Sequence, residues 1–378
     1  MKILMLNYEF PPIGGGGGKA HLHLLEEFAK KENVSIDVLT SNAAPDNSVE
    51  HFSDNITIYK IGIHKKSLHY WRKVEVLEWL FKANRQLKRM LENKYDLAHA
   101  FFGFPTGWLT YRHRKKLPYL ISLRGSDVPG ANPRFKLDYK LLAGLFRKIW
   151  SKAELLVANS DGLAQRARTF APELAYGVIA NGVDTNRFVP AQNSPPFKPF
   201  KLITVGRLSE VKRLDLAIKA IHQVRNQGLD ATYTLVGNGN LASELAHLAE
   251  TLGIGDHVKF ADWIEPENIV QQYQAHHAFL LTSINEGMNN AMLEAMACGL
   301  PIITTACEGT AELINENGIV VQDPSPENIA AAIAEMAKDP EKFNQMADAS
   351  RKIAGNFSWS NAANQYLQRY AKISGLIP

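Results

Sequence analysis

The feature that most limits what this chain can fold into is an alternation of short apolar runs with longer amphipathic stretches, completed twice around one proline-rich break. Apolar runs of strand length occupy residues 2–6, 35–40, 56–61, 97–100, 119–123 and 155–158, and then 202–205, 232–236, 258–260, 278–281 and 302–304. Helical stretches fall between them, over 19–31, 74–92, 214–226, 241–252, 291–297 and 326–338. Strands alternating with helices predict parallel sheets with helices on both faces. The break runs Pro190-Ala191-Gln192-Asn193-Ser194-Pro195-Pro196-Phe197-Lys198-Pro199. Its four prolines in ten residues continue neither a helix nor a central strand, so it reads as a semi-rigid spacer. The expected organisation is two doubly wound α/β domains, residues 1–190 and 191–361. In such domains ligands bind beyond the carboxyl ends of the strands. Two of these edges facing one another across a cleft suit a two-substrate transfer and a dehydrogenase equally, so the fold alone selects no function.

A length of 378 residues suits two domains better than one core. With 46% hydrophobic and 21% charged residues the composition is that of a soluble globular protein. Met1-Lys2-Ile3-Leu4-Met5-Leu6-Asn7 has too short an apolar run for a signal peptide and reads as a first buried strand. No stretch approaches the roughly 18 apolar residues of a membrane span. Cys298 and Cys307 are too few for a disulfide framework and lack metal-site spacing, which points to a reducing, cytoplasmic setting. The net charge of +4 hides a division: residues 1–190 hold 28 Lys and Arg against 18 Asp and Glu, and the remainder 14 against 20. A basic first half either faces an anionic partner or is simply a solvated face.

The most informative segment runs from Thr282 to Pro301. An apolar strand over 278–281 precedes it, Asn289 or Asn290 is suited to cap a helix, and residues 291–297 are strong helix formers. Gly299 and Pro301 then close the helix. The helix start therefore presents unpaired N–H groups and the positive end of its dipole beyond a strand, which is a site for a phosphate. Glu294 lies one turn inside on the face of Asn290, where its carboxylate can accept both hydroxyls of a ribose. Glu286, in the preceding loop, can reach the hydroxyls of a transferred sugar. The plain alternatives are a surface loop residue and a solvated helix residue. An acid flanked by Leu293, Ala295 and Met296 in an otherwise apolar helix argues for the functional reading.

This segment, with Glu286-Gly287-Met288 leading to Leu293-Glu294-Ala295-Met296-Ala297-Cys298-Gly299-Leu300-Pro301, resembles the glutamate-seven-residues-glutamate motif of retaining glycosyltransferases of family 4. The likeness extends to Asn181-Gly182-Val183-Asp184 with Phe188, Val205-Gly206-Arg207-Leu208 with Lys212, Val236-Gly237-Asn238-Gly239, and then Gly309, Glu312 and Trp359. It implies the GT-B architecture: two Rossmann-like doubly wound parallel-sheet domains facing a cleft, with a last helix, over 362–378, crossing back onto the first. It implies a nucleoside-diphosphate sugar, a UDP or GDP sugar, as donor and a retained anomeric configuration. Arg207 and Lys212 would neutralise the donor diphosphate with no metal and no other cofactor, and Gly206 would let the backbone approach it. Gly287, Met288, Asn289, Asn290 and Glu294 complete the donor-site candidates, and Glu286 is the leading catalytic candidate.

Further candidates are scattered along the chain. Base contacts are expected after the strand over 258–260, at Asp262, Trp263 and Ile264. The run Gly14 to Gly18 fails the P-loop pattern, because position 13 is Ile and Ala20 follows Lys19. By resemblance Gly16 and Gly17 touch the donor's phosphate or sugar, from a loop that is mobile until substrate arrives. His99 ends a strand and is either catalytic or structural. Where family members commonly carry a histidine before glycine, this chain has Arg124. Asp127 either orients an acceptor hydroxyl or pairs with Arg124.

Three rivals remain at this stage: a nucleotide-sugar epimerase of the same fold, a nicotinamide dehydrogenase, and a non-catalytic nucleotide-binding protein. The second lacks the Gly-x-Gly-x-x-Gly turn, and the third sits poorly with Glu286, Glu294, Arg207 and Lys212 together. The expected acceptor is a sugar or lipid-linked glycan, in cell-surface polysaccharide or glycolipid synthesis, and no nucleic acid is expected. A basic first domain suits a peripheral position on the inner face of a membrane. The tip His64 to Lys73, where cations interleave with aromatics, is assigned to that anionic surface. The apolar positions 74, 77, 80, 81, 87 and 91 that follow, with Lys82, Arg85, Lys88 and Arg89 among them, either lie on an anionic membrane surface or pack on the domain's own sheet, and the second is the preferred reading.

Overall fold

The structure, a computed structural model, describes residues 1–68, 70–130, 136–193, 195–307, 309–310 and 312–376. It divides into two compact units, Met1–Gly182 with Trp359–Pro378, and Val183–Ser358. The division falls before the proline-rich stretch because residues 183–190 are tied into the second unit. Arg351 donates to the carbonyls of Thr185 (2.9 Å) and Phe188 (2.7 Å), and the Val183 N–H donates to Phe357 (3.0 Å).

The first unit is an eight-stranded sheet of β1 (Lys2–Leu6), β2 (Ser35–Asn42), β3 (Ser48–Ser53), β4 (Ile56–Gly62), β5 (Leu97–Phe101), β6 (Tyr119–Leu123), β7 (Leu155–Ala158) and β8 (Tyr176–Val178). The strand order is β3-β4-β2-β1-β5-β6-β7-β8, parallel except for β3. Alternate residues point to opposite faces. Ile3 and Met5 accordingly enter one core with α1 (Gly16–Phe28) and α12 (Trp359–Ile373). Leu4 and Leu6 enter the other, with α2 (Lys73–Met90), α3 (Thr106–His113), α4 (Lys136–Trp150) and α5 (Asp161–Phe170).

The second unit is a six-stranded parallel sheet of β9 (Phe200–Val205), β10 (Ala231–Val236), β11 (Val258–Ala261), β12 (Ala278–Leu281), β13 (Ile302–Thr305) and β14 (Gly318–Val321), in the order β11-β10-β9-β12-β13-β14. Its helices are α6 (Leu214–Asn226), α7 (Ala242–Thr251), α8 (Ile269–Gln274), α9 (Asn290–Ala297), α10 (Pro326–Lys338) and α11 (Pro340–Ala354). The strands not anticipated, β3, β8 and β14, are all edge strands with a single neighbour. β3 and β8 bury little and carry weak apolar runs, as Ser48-Val49-Glu50-His51-Phe52-Ser53 illustrates, while β14 is a run of only four residues, Gly318-Ile319-Val320-Val321.

One expectation is overturned and another is met only in part. Helix α1 begins at Gly16, so three of the five glycines form its first turn and not a loop. A Cβ on Gly17 would lie 2.6 Å from Cζ of Phe102, and one on Gly18 would lie 3.0 Å from the Glu9 carbonyl oxygen. The glycines admit close packing there. The stripe of α2 divides, Leu80 and Leu87 packing on the sheet as preferred and Val74, Leu77 and Phe81 not. Trp79, Leu80, Ala83, Leu87 and Met90 face the sheet, while Val74, Leu77 and Phe81 face solvent.

The tip before α2 is closed by internal ion pairs. The Glu75 carboxylate takes Lys65 Nζ at 2.9 Å, Arg72 Nε at 2.7 Å and the Lys66 and Arg72 N–H groups at 3.0 Å. Burial alone would raise the Glu75 carboxyl, but the donors of Arg72, Lys65 and Lys66 outweigh it and bring it down to about 2. Lys65 also sits 4.0 Å over the Trp71 ring. Among the described residues no helix is long and apolar enough to cross a membrane.

Candidate active site

In the second unit the strand order reverses between β9 and β12, and a parallel sheet opens a crevice at such a point. Two loops meet there. Gly206 to Arg213 leave β9, and Thr282 to Asn289 leave β12. Arg213 adopts a left-handed conformation (φ 44°), which costs on the order of 1 kcal/mol for a non-glycine residue. The Lys212 and Arg213 carbonyls both accept from Thr282 Oγ1, at 2.8 and 3.0 Å, while Ile284 N–H donates to Val211 at 2.9 Å. The joined loops bring Lys212 Nζ onto the Glu286 carboxylate, which also accepts from Ser283 Oγ at 2.7 Å. Both members of this ion pair keep 15% of their side-chain surface exposed, so a ligand can reach them. Gly309 N–H donates to the Glu286 carbonyl at 3.0 Å, and a Cβ on Gly309 would stand 1.5 Å from the Gly287 oxygen. Only glycine allows that contact. Arg207 lies exposed on the β9 loop, five residues before Lys212.

Helix α9 starts beside this pair. Asn289 is its cap, its Oδ1 accepting from the Met292 N–H at 3.0 Å, with Met288 buried behind it and Gly287 and Asn290 half-buried. Glu294 is also half-buried, and its Oε2 accepts from the Tyr273 hydroxyl at 2.8 Å. Burial, reinforced by Glu294, holds the Tyr273 phenol well above its usual range, so it stays a proton donor that orients the carboxylate. Burial and then Glu294 push the Cys298 thiol up to about 12, which leaves it unreactive.

On the other side of β9 the strand ends interlock. A Cβ on Gly237 would be 2.3 Å from the Gly206 oxygen, and one on Gly239 would be 2.0 Å from the Leu208 oxygen. Beyond them lies a pocket of about 250 Å³ lined by Leu208, Gly237, Asn238, Phe260 and Asp262 among others. Trp263, half exposed at 50%, and Ile264 follow Asp262 in the chain but do not line this pocket.

The first-unit candidates gather around the ends of β5 and β6. Arg124 donates from one terminal nitrogen to Asn181 Oδ1 (3.0 Å) and from the other to the Tyr366 hydroxyl (3.3 Å), with its guanidinium 4.8 Å over the Phe101 ring. Asp127 forms no side-chain pair with it. Its two oxygens accept from the backbone N–H groups of Arg124 (2.8 Å) and Gly103 (2.7 Å), clasping the β5 and β6 loops together. Burial raises the Asp127 carboxyl against the pull of those donors. Phe102, at φ 75°, is a strained residue at the β5 end, of the kind that clusters at functional sites.

His99 is an interior residue and not a reacting group. It has no exposed surface, and its Nδ1 and Nε2 are hydrogen-bonded with the Tyr370 hydroxyl (2.6 Å) and Ser122 Oγ (2.7 Å). Burial, then Arg124 and His21, keep it neutral. The residues sequence reasoning missed are Ser283, Thr282, Tyr273 and Tyr366. Only Tyr366 carried a signal, since it stands four residues before Tyr370 in the last helix and so shares its face.

Residues 14–187 match the family described as Glycosyltransferase Family 4, and residues 186–353 match Glycosyl transferases group 1. The chain is 24% identical over 400 residues to the glycogen synthase of Mycobacterium tuberculosis, covering 98% of this chain and 94% of that one. Sucrose-phosphate synthase from Thermosynechococcus elongatus superposes with a TM-score of 0.84 at 20% identity over the whole of both chains. Alr3699/HepE of Anabaena, solved in complex with UDP-glucose, superposes at 0.75 and 20% identity over 98% of this chain and all of its own. These likenesses establish the GT-B fold, two Rossmann-like domains in one chain. With the two family matches running from residue 14 to residue 353 and a charged pair beside a capped helix at the second sheet's reversal point, the chain belongs to the glycosyltransferases that join a Family 4 domain to a group 1 domain.

Proposed function

We propose that the second unit binds a nucleoside-diphosphate sugar and that the enzyme transfers the sugar, with retention, to an acceptor hydroxyl. The observation that carries this reading is the partly exposed Lys212–Glu286 pair beside the Asn289-capped start of α9. A phosphate at that start meets the positive end of the helix dipole. Arg207 and Lys212 add positive charge on the leaving side, where it stabilises the diphosphate as its negative charge grows. Glu294, oriented by Tyr273, takes the ribose hydroxyls, and the pocket at Gly237, Asn238 and Asp262 takes the base. Glu286 takes hydroxyls of the transferred sugar. Its ion pair with Lys212 links recognition of the sugar to that of the phosphate.

In the transfer, the bond from the anomeric carbon to the diphosphate oxygen breaks and a bond to the acceptor oxygen forms on the same face. The acceptor proton passes to the departing phosphate oxygen. The protein contributes position and electrostatics, and the two cations replace a metal. In the first unit Arg124 and Asp127 are the candidates for the sugar being moved or its acceptor. The fuller reading takes a lipid-linked glycan as acceptor and places the enzyme peripherally on an anionic membrane.

Glu294→Ala should weaken binding of UDP, the first nucleotide to test, about tenfold or more, since a ribose hydrogen bond to a charged group contributes roughly 1.5–3 kcal/mol. Glu286→Ala should bind the nucleotide normally and lose turnover. Calorimetry with both variants checks the assignment, and equal binding by parent and Glu294→Ala would mean the ribose lies elsewhere. Activity should survive a chelator; loss of activity that a divalent cation restores would overturn the metal-free reading.

A further inference from the structure

Exposed large apolar side chains gather in one helical layer of the first unit. On α2, Val74, Leu77 and Phe81 recur at helical spacing and continue into Arg85 and Lys88, so all five share one face. Phe81 is 79% exposed. On α4 the same pattern appears in Leu137, Lys140, Leu141 and Lys148, with Leu141 73% exposed. Helix α3 packs against both and presents Arg112, its guanidinium 4.9 Å over Trp108. These helices bury other residues, Trp79, Leu87, Ile149 and Trp150 among them, on their sheet side, so the exposed stripe is a second apolar face.

From this face we infer that α2 and α4 dock the first unit on an anionic lipid surface, apolar residues entering the headgroup boundary and lysines and arginines meeting the phosphates. The inference deepens the peripheral-membrane part of the reading above and rests on it. Charge complementarity selects the occupant. The carboxylates of α2 nearest the stripe are already engaged, Glu75 by Lys65 and Arg72 and Glu78 by Lys82 (2.8 Å) and His64 (2.8 Å), so the stripe's cations keep their charge for an outside anion. A second copy seated face to face would set cation against cation, which is repulsive. The tip residues Lys65 and Arg72 are not part of this surface, because Glu75 holds them.

Sedimentation of the whole protein with vesicles tests the assignment. The parent should bind vesicles of phosphatidylglycerol mixed with phosphatidylcholine, bind pure phosphatidylcholine weakly, and release as salt rises. Leu77→Glu with Phe81→Glu should lower partitioning about tenfold or more, and Arg85→Glu with Lys88→Glu should do the same and weaken the salt dependence. Both variants should keep the parent's circular dichroism spectrum and its unfolding transitions, which shows that the first unit, where α2 lies, is still folded. Absent or charge-independent vesicle binding by the parent would overturn the inference, as would variants that bind like the parent. Self-association of the parent, abolished by Leu77→Glu with Phe81→Glu, would also overturn it by identifying a second copy as the occupant. Failure of the parent to show a thermal shift with UDP would count against the donor reading and leave vesicle binding to be judged on its own.

Discussion

At the reversal point of the second sheet Lys212 and Glu286 meet with 15% of each side chain still exposed, whereas around the equivalent point of the first His21 and His99 are sealed from water and neutral. Both sheets are doubly wound, and both place loops at the carboxyl ends of their central strands. The difference is what packs there. In the first unit α12 contributes Tyr366 and Tyr370, whose hydroxyls complete a buried chain running Arg124–Tyr366–Ser122–His99–Tyr370. In the second unit the short capped helix α9 leaves the edge open. Topology offers both edges as binding places, and the covering helix seals His99 and its partners at one of them, while Tyr8, Glu9 and Arg124 stay half-buried there.

The strongest way to break this comparison is to remove the cover. Truncation after Ser358 deletes Trp359, Tyr366 and Tyr370, each largely or fully buried, and burial of one such aromatic contributes roughly 1.5–3 kcal/mol. The first unit should unfold or lose most of its stability while the second keeps a UDP-dependent thermal shift. Two unchanged unfolding transitions would show that α12 does not hold the first unit together.

Lys212→Ala should come next in size. It removes transition-state charge stabilisation and leaves Glu286 without its cation, so turnover should fall on the order of 100- to 1,000-fold. A turnover assay with the identified donor checks this, and near-parental activity would mean the exposed pair is only structural.

The buried ion pair of the first unit gives a smaller effect with a defined pH sense. Glu75 is depressed to about 2, so its stabilisation is present above its ordinary carboxylate range near 4.5 and lost as pH falls through about 2. Glu78, likewise about 2, adds in the same direction. Glu75→Gln should cost about 3 kcal/mol, because Lys65 is left buried without its counter-ion, and should flatten the acid limb of stability against pH. Denaturant titrations between pH 2 and 6 measure both.

Tyr366→Phe sharpens the comparison at the lowest cost. The phenol bonds Ser122 Oγ at 2.7 Å and Arg124 at 3.3 Å, so its loss should cost about 1–2 kcal/mol. If Arg124 contacts substrate, KM or kcat should shift as well, with UDP binding unchanged. Stability loss with parental kinetics would restrict the network to folding.

Much of this was legible beforehand because it is local. Strands β1, β6, β7 and β12 fall where apolar runs bounded by polar turns placed them, and α9 follows from the Asn cap, the helix formers and the closing Gly299. The two-domain α/β plan and the spacing of Glu286 and Glu294 needed no long-range information, since period and capping are properties of neighbouring residues. What tertiary structure alone decided depends on residues far apart in the chain. His99 meets Tyr370 across 271 positions, and Lys212 meets Glu286 across 74. The α2 stripe shows the limit most directly. Its apolar residues satisfy helical periodicity on more than one face, and periodicity states that a helix has apolar positions without stating which of them a sheet will cover. That choice belongs to the packing of α2 against its sheet, which buries Trp79, Leu80 and Leu87 and leaves Val74, Leu77 and Phe81 in solvent.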